Sequence, residues 1–168
     1  MSTRDLEKDA AGGDGLPAWY PRPSTPHATK IMKANPRRDT RPEVRLRSAL
    51  HQRGMRVRCD YALADGVGRP IRADVAFTRL RLAVFVDGCF WHMCPDHGSV
   101  PKANLDYWRP KLEGNARRDA AVDVRLQEAG WEVVRLWEHM PLDDAVAAVI
   151  AAFRDRSEGA SALGDRSR

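Results

Sequence analysis

The loop GCFWHMCPDHG concentrates side chains of the types that bind transition metals. Cys89, Cys94 and His97 offer two sulfurs and one imidazole within nine residues, directly after an apolar segment. Zinc takes four nitrogen or sulfur ligands in a tetrahedron, so one ligand must come from elsewhere in the chain. His139 is the stronger candidate because it follows a predicted strand, and His92 is the competitor within the loop. The alternative is a pair of buried free cysteines with surface histidines.

A second group of residues has the chemistry to hold a divalent cation. Asp74 lies between apolar neighbours in IRADVAF, where an unpaired charge is costly, and Asp87 ends the next predicted strand. The short turn TRLR makes these two strands a hairpin, which brings position 74 beside position 86 or 87. A carboxylate there could bind Mg²⁺, which activates a water beside a phosphodiester. The alternative is that Asp74 pairs with Arg72 or Arg69.

The elements that must position these residues follow from the apolar periodicity. Thr40 and Glu43 form a capping-box pattern at the start of the first helix, and Gly54 ends it. The order α-β-β-β-α-β-α predicts an α/β domain with a central mixed sheet flanked by helices. The predicted elements are a helix over 39–54, strands over 55–63, 71–77 and 82–88, a helix over 115–130, a strand over 131–137 and a helix over 141–156.

Composition restricts the class of protein. The 168 residues suit one globular domain, and the net charge of +5 favours a polyanionic partner such as nucleic acid. The chain has no signal-peptide pattern and no apolar run of membrane-spanning length, so a cytoplasmic protein without membrane contact is expected. Residues 1–27 are predicted to form a flexible arm, residues 28–155 the folded domain, and residues 156–168 a disordered tail.

Several segments together resemble a known enzyme family. RPIRADVAF, LAVFVDGCFWHMCPDHG, YWRPKLEGNARRD and LQEAGWEVVRLWEH are similar to the very short patch repair (Vsr) DNA mismatch endonucleases, from about residue 28 to about residue 153. The resemblance implies a fold related to restriction endonucleases. It implies a Mg²⁺-dependent enzyme that nicks one DNA strand 5′ to the thymine of a T:G mismatch left by deamination of 5-methylcytosine, which initiates repair.

Carried over residue by residue, the resemblance implies an active site and a structural zinc site. Asp74 would bind the catalytic Mg²⁺, and His92 would be the general base, which removes His92 from the zinc candidates. Glu43 would reach a water bound to that metal, and Asp119 in the NARRD segment would be a further catalytic residue. The zinc ligands that the resemblance implies are Cys89, Cys94, His97 and His139.

The chain departs from the family pattern at the end of one strand. The family has Thr-His where this chain has Val86 and Asp87. A main-chain carbonyl can still bind Mg²⁺ at the first position, so Val86 is expected to be a ligand through its backbone. Asp87 is hypothesised to add a second acidic ligand beside Asp74. Glu43 has an alternative role as well, since it would complete the capping box with Thr40.

Aromatic side chains on both sides of the loop indicate how DNA would be held. Bulky apolar groups inserted between base steps kink a duplex, most easily at a mismatch. The resemblance implies this role for Phe90, Trp91 and Trp108, with Met32 reaching the minor groove. Ordinary core burial is the alternative for Trp91 and Trp108. The basic residues expected to contact phosphates are Lys30, Lys33, Arg37 and Arg38.

Two other classes of function stay open on the sequence alone. A restriction-type endonuclease would cut both strands of matched DNA, whereas the chain resembles a monomer with a single active site. A zinc-stabilised DNA-binding module would bind without cutting, which leaves Asp74 and His92 unexplained. The partners implied by the resemblance are duplex DNA with a T:G mismatch and other mismatch-repair proteins.

Overall fold

The computed structural model describes residue 36, residues 38–63 and residues 70–165. The predicted arm over 1–27 lies outside the described residues. The same holds for four of the predicted DNA contacts, namely Lys30, Met32, Lys33 and Arg37. The described ranges include all of the candidate metal ligands and catalytic residues.

Three helices and four strands form in the described part of the chain. The helices are α1 (Arg41–Gln52), α2 (Leu105–Glu128) and α3 (Leu142–Asp165). The strands are β1 (Arg58–Leu63), β2 (Ile71–Phe77), β3 (Leu82–Asp87) and β4 (Glu132–Trp137). Their order is the predicted one, and the predicted α/β class with a mixed sheet flanked by helices is confirmed.

The sheet has the strand order β1-β2-β3-β4, and its topology places the candidate site. β1 with β2 and β2 with β3 are antiparallel, as expected for hairpins. β3 and β4 are parallel, with Asp87 opposite Trp137, and α2 forms the crossover between them. Because β3 and β4 end side by side, the loop after Asp87 and the residues after Trp137 meet at one edge of the sheet.

Apolar side chains bury both faces of this sheet. On one face, Val75 and Val84 pack with Leu50 of α1 and Val149 of α3, and all four are fully buried. On the other face, a second cluster contains Leu126 of α2. The apolar side chains of α3 therefore lie in the core. No helix in the described ranges combines the length and apolar character that a membrane crossing requires.

Two helix ends differ from the sequence prediction. α2 begins at Leu105 rather than near 115, with Pro110 inside it. Proline removes one backbone donor near the helix start, and burial of Trp108 and Leu112 offsets that loss. α3 continues to Asp165, so residues 156–165, which were predicted to be disordered, are helical. Arg156 contributes to this extension because it donates hydrogen bonds to backbone carbonyls outside the helix.

Candidate active site and metal centre

A cluster of two cysteines and two histidines lies where β3 and β4 end. The ligand atoms of Cys89, Cys94, His97 and His139 all lie within 4.8 Å of one another. The Cys89 sulfur is 3.0 Å from Nδ1 of His139, and the Cys94 sulfur is 3.7 Å from the same nitrogen. The four residues predicted as zinc ligands are thus brought together. Three of them lie in the loop after β3, and His139 follows β4.

Backbone hydrogen bonds give this loop its shape. The amide of Cys94 donates to the carbonyl of Cys89 at 2.9 Å, and the amide of Gly98 donates to the carbonyl of Cys94 at 2.6 Å. A side chain at position 98 would collide with that carbonyl, so glycine is required there. The carboxylate of Glu138 accepts a hydrogen bond from the amide of Cys89 at 2.7 Å, which ties the loop to the end of β4.

The donor set fits a tetrahedral zinc ion. Zinc–sulfur bonds of about 2.3 Å place neighbouring ligand atoms roughly 3.5–4 Å apart, close to the separations found in the cluster. Burial, together with the neighbouring Cys94 thiol, raises the pKa of the Cys89 thiol well above its usual range. A thiolate at this position therefore needs a cation beside it.

Asp74 is a carboxylate held inside the sheet on β2. Its Oδ2 accepts a hydrogen bond from the amide of Val86 at 2.8 Å, so the predicted contact across the hairpin is present. Burial raises the pKa of Asp74 to about 6, and the charges of Glu43 and Asp87 also raise it. The Val86 hydrogen bond and the charge of Arg47 lower the pKa, but they do not outweigh burial. A cation next to Asp74 would remove this penalty on the ionised form.

Arg72 does not neutralise Asp74. The Nε of Arg72 donates to Oδ1 of Asp60 on β1 at 2.6 Å instead. Arg38, predicted to contact a phosphate, also forms an ion pair with Asp60. Arg69, the other partner considered for Asp74, lies outside the described residues. The side chain of Asp74 is therefore bonded to a backbone amide, and the alternative that it pairs with Arg72 is wrong.

Glu43 is almost completely buried, with 4% of its surface exposed. Its carboxylate accepts hydrogen bonds from the amide of Asp39 at 3.0 Å, the hydroxyl of Thr40 at 2.8 Å and Nη2 of Arg47 at 2.9 Å. The predicted capping box does not form, because the Thr40 hydroxyl caps no helix amide and Glu43 accepts from the amide of Asp39 instead of the amide of Thr40. A carboxylate offers about four acceptor positions, so Glu43 retains capacity for a water.

His92 lies close to two carboxylates. Its Nδ1 is 2.6 Å from Oδ2 of Asp119 on α2 and 3.6 Å from Oδ1 of Asp87. An ionised carboxylate only accepts hydrogen bonds, so in a neutral imidazole this contact to Asp119 places the proton on Nδ1 and the lone pair on Nε2. His92 does not belong to the Cys/His cluster, so its geometry does not favour the role of a zinc ligand.

The structure places Asp87 differently from the hypothesis of a second magnesium ligand. Both of its oxygens accept hydrogen bonds from Nη1 of Arg135, at 3.0 and 2.9 Å, and only 5% of the residue is exposed. The carboxylate that would have bound a cation is already paired with one. The sequence prediction did not include Arg135. The signal was present, because Arg135 in EVVRLW, like Asp74 in IRADVAF, is a charged residue between apolar residues of a predicted strand.

The aromatic residues of the loop form one cluster with α2. The rings of Phe90 and Trp91 lie 5.0 Å apart, and each contacts Trp108, at 5.5 and 6.0 Å between centroids. Trp108 is 8% exposed, which favours core packing over the predicted insertion into DNA. Phe90 and Trp91 are half-buried. The amide of Asn115 donates to the Trp91 carbonyl at 3.1 Å, so the loop and α2 are linked.

The chain is similar to enzymes that act on DNA. The family model described as DNA mismatch endonuclease Vsr matches residues 24–96. Type II nicking enzyme V.NaeI of Lentzea aerocolonigenes is 48% identical over 95% of this chain and 96% of its own length. DNA mismatch endonuclease Vsr of Escherichia coli (strain K12) is 36% identical over 66% of this chain and 68% of its own. Type II nicking enzyme V.XorIIP of Xanthomonas oryzae pv. oryzae is 40% identical over 64% of this chain and 76% of its own.

Proposed function

This chain belongs to the Vsr family of DNA mismatch endonucleases, and we propose from that premise that it nicks one strand of duplex DNA at T:G mismatches. The chain is an endonuclease, as its relatives are. The proposal adds that the nick falls 5′ to the thymine, that the mismatch arises from deamination of 5-methylcytosine, that Mg²⁺ is required, and that the nick initiates very short patch repair.

One observation carries the proposal: consecutive residues of β3 contact both halves of a nuclease site. The Val86 amide bonds to the Asp74 carboxylate, and the Asp87 carboxylate lies 3.6 Å from His92. A buried carboxylate suited to a cation and the imidazole that Asp119 contacts therefore both lie beside the end of the same strand. This combination supports phosphodiester hydrolysis over DNA binding alone.

Asp74 and the main-chain carbonyl of Val86 are the proposed ligands for Mg²⁺. The buried carboxylate with a raised pKa fits a cation site, and Glu43 adds negative charge nearby. When bound, Mg²⁺ would neutralise the charge that develops on the phosphate. Asp87 is assigned to the contacts with Arg135 and His92 instead of the metal.

His92 is the proposed general base. Asp119 holds the proton on Nδ1, so Nε2 can accept a proton from the attacking water. The water oxygen forms a bond to phosphorus as the bond to the leaving oxygen of the backbone breaks. Glu43 would accept a hydrogen bond from a water in this site, with the acceptor position that its three protein donors leave free.

The Cys/His cluster is the proposed site of a structural zinc ion. Four protein ligands would leave no open position for substrate, which is the pattern of structural sites. The same loop carries Phe90, Trp91 and His92, so zinc would hold the aromatic side chains and the base in a fixed relation. We propose that Phe90 and Trp91 contact the bases beside the mismatch, and that Trp108 supports them from α2.

The remaining parts of the proposal concern the whole enzyme. A restriction-endonuclease-like fold is supported by the mixed sheet with an acidic residue on its second strand and by the family. Met32 would reach the minor groove, and Lys30, Lys33, Arg37 and Arg38 would contact phosphates. We propose a cytoplasmic monomer, with other mismatch-repair proteins as further partners.

The proposed substrate is tested by comparing pairs of duplexes that differ only in the presence of a mismatch. Duplexes that differ in one T:G or C:G pair, across several flanking sequences, are labelled on either strand and incubated with and without Mg²⁺. We expect a nick only in the thymine strand of the T:G duplex and only with Mg²⁺. Cutting of both strands of the C:G duplex would instead establish a restriction-type enzyme. Binding without any cutting would establish a DNA-binding module.

A further inference from the structure

Arg135 forms hydrogen bonds to three acidic residues, of which Asp87 is buried and the other two are half-buried. It lies on β4, and its Nη1 donates to both oxygens of Asp87. Its Nε and Nη2 donate to Asp123 of α2 at 2.8–3.0 Å, and Nη2 also donates to the backbone carbonyl of Asp119 at 3.3 Å. The guanidinium packs 4.9 Å from the ring centre of Phe85. One side chain thus joins the end of β3 to one turn of α2.

The charge of Arg135 is firmly retained. Burial lowers the pKa of Arg135, but the hydrogen bond to Asp123 and the charge of Asp87 outweigh it and hold the pKa above its usual range. Removing the guanidinium would leave the buried carboxylate of Asp87 uncompensated and would free the turn of α2 that carries Asp119 and Asp123. The fork geometry matters, since its separate N–H groups reach two carboxylates and a carbonyl together.

These contacts determine which carboxylate binds His92. Asp119 and Asp87 both lie near Nδ1 of His92, at 2.6 and 3.6 Å, and Nδ1 has one proton to donate. Arg135 engages both oxygens of Asp87 and at the same time fixes the backbone of Asp119. Asp87 therefore does not accept the Nδ1 proton of His92, and Asp119 is held at hydrogen-bonding distance from it.

We propose that Arg135 is a positioning residue, which holds His92 on Asp119 with its Nε2 lone pair available for proton transfer. The inference rests on the proposed role of His92 as the general base. Arg135 acts through Asp87 and Asp119, and it does not touch the substrate. Asp87, hypothesised above to be a metal ligand, instead holds the guanidinium of Arg135 beside His92.

The test compares Arg135→Met and Arg135→Lys with the wild-type, zinc-loaded enzyme. Methionine keeps an apolar stem against Phe85 without the charge, and lysine keeps the charge without the fork. Loss of an outer contact that orients a metal-bound histidine lowers activity by about 10- to 100-fold, and we expect a contact that orients a general base to matter to a similar degree. We expect this loss in kcat with KM nearly unchanged for Arg135→Met, and a smaller loss for Arg135→Lys.

Nitrogen-15 NMR of histidine-labelled protein gives a readout independent of activity. The wild-type His92 signal, assigned by its absence in His92→Ala, should show a proton on Nδ1 and an unprotonated Nε2. Arg135→Met should lose this single tautomer. If the signal keeps that tautomer in both arginine variants, the proposal is overturned. Should Arg135→Met fail to fold, Arg135→Lys decides, because it keeps a positive charge beside Asp87 without the fork. Loss of the single His92 tautomer in Arg135→Lys would then support the proposal, and its retention with the wild-type kcat would overturn it.

Arg156→Met is the matched control. This arginine is also half-buried and bonds to backbone carbonyls, but those belong to Leu80 and Gly130, before β3 and β4 rather than at their ends. It should lose stability while kcat and the His92 tautomer are retained. A loss of kcat in Arg156→Met as large as in Arg135→Met would contradict a specific role for Arg135.

A double-mutant cycle with His92→Ala separates this inference from the function on which it rests. If Arg135 acts through His92, Arg135→Met should cause little further loss in the His92→Ala background. An equal loss in both backgrounds would overturn the positioning role alone. If His92→Ala nicks as fast as wild type, the proposed base is wrong and the positioning role is wrong with it.

Discussion

At the scale of single residues, the site depends on charges placed inside apolar strands. Asp74 in IRADVAF and Arg135 in EVVRLW each have apolar neighbours, where a charge needs a partner. Arg135 has carboxylate partners, whereas the Asp74 side chain is bonded to the Val86 amide and has a raised pKa. Of the two, the residue with the incompletely neutralised charge is the one that a cation would stabilise.

Asp74→Asn should stabilise the metal-free protein while it abolishes nicking. The pKa of Asp74 is about 6 in the folded state, against an ordinary value of 3.8 for an aspartate in an unfolded chain, so the folded state binds the proton more tightly. Stability therefore falls as pH rises from about 4 to about 6 and stays lower above that, by roughly 1–3 kcal/mol. Urea denaturation of both proteins across this range, in buffer without Mg²⁺, measures the difference.

The difference between the two proteins isolates this one carboxylate. Asparagine can still accept the Val86 hydrogen bond, so the variant should be more stable than wild type at about pH 8 and equal to it near pH 4. A difference that does not change with pH would show that Asp74 is not the titrating group. Added Mg²⁺ at about pH 8 should stabilise wild type and leave Asp74→Asn unchanged.

At the scale of elements, the parallel pairing of β3 with β4 creates the site. It places the loop after Asp87 beside the residues after Trp137, so the Cys/His cluster and the His92 contacts form at one sheet edge. α2 crosses between these strands and supplies Asp119 from the same side. A change in the loop that carries the Cys/His cluster should therefore affect His92, the proposed general base, without touching it.

Cys94→Ser should lower both stability and nicking, because serine is a poor zinc ligand. Cys59→Ser is the matched control, since that cysteine is exposed and outside the cluster. We expect wild type and Cys59→Ser to contain one zinc per chain, and Cys94→Ser to lose zinc together with most of its nicking activity. Elemental analysis, thermal melting and the nicking rate test this. Equal metal content and activity in the two variants would contradict the zinc site.

A chain that ends after residue 155 should be less stable than one that ends after residue 165. The deletion removes Arg156, whose guanidinium bonds to the carbonyls of Leu80 at 2.8 Å and Gly130 at 3.1 Å. We expect a loss of about 1–3 kcal/mol in the free energy of unfolding, since hydrogen bonds to charged groups contribute this much. Urea denaturation measures it. Equal stability would support the disordered tail expected from the sequence.

Much of this architecture could be predicted from the sequence, because the apolar side chains of β2, β3 and α3 are the ones that the fold buries. The zinc-type cluster could also be predicted, since Cys89 and Cys94 are close in sequence and His139 follows a strand. The start of α2 could not, because Pro110 is usually a helix boundary and burial of Trp108 overrides it. The pairing of Arg135 with Asp87 could not be predicted from the sequence pattern either, since it depends on the parallel register of β3 and β4.

At the scale of the whole molecule, charge and topology suit an enzyme of the Vsr family. The net charge of +5 favours a polyanionic substrate. The candidate catalytic residues and the Cys/His cluster lie at one edge of the sheet, and the hydrogen bonds of Arg156 lie at the opposite ends of β3 and β4. DNA contact is therefore expected at the first of these edges and not at the second.

The salt dependence of DNA binding should report the basic residues near the N-terminus. Each neutralised phosphate contributes about 0.9 to the slope of log K against log salt concentration. The double variant Lys30→Ala/Lys33→Ala should therefore reduce the slope by about 2. Arg79→Ala, in the turn between β2 and β3, should leave it unchanged. Fluorescence anisotropy at several salt concentrations measures both slopes, and equal slopes for all proteins would contradict these contacts.

The most direct test of the proposed mechanism is the single-turnover rate at which His92→Ala nicks the thymine strand of a T:G duplex. Loss of a general base slows the chemical step by about 10²–10⁴-fold, so we predict a slowing of this size with unchanged DNA affinity. His51→Ala, at an exposed histidine near the end of α1, is the matched control and should nick at the wild-type rate. Nicking by His92→Ala at the wild-type rate would contradict the mechanism.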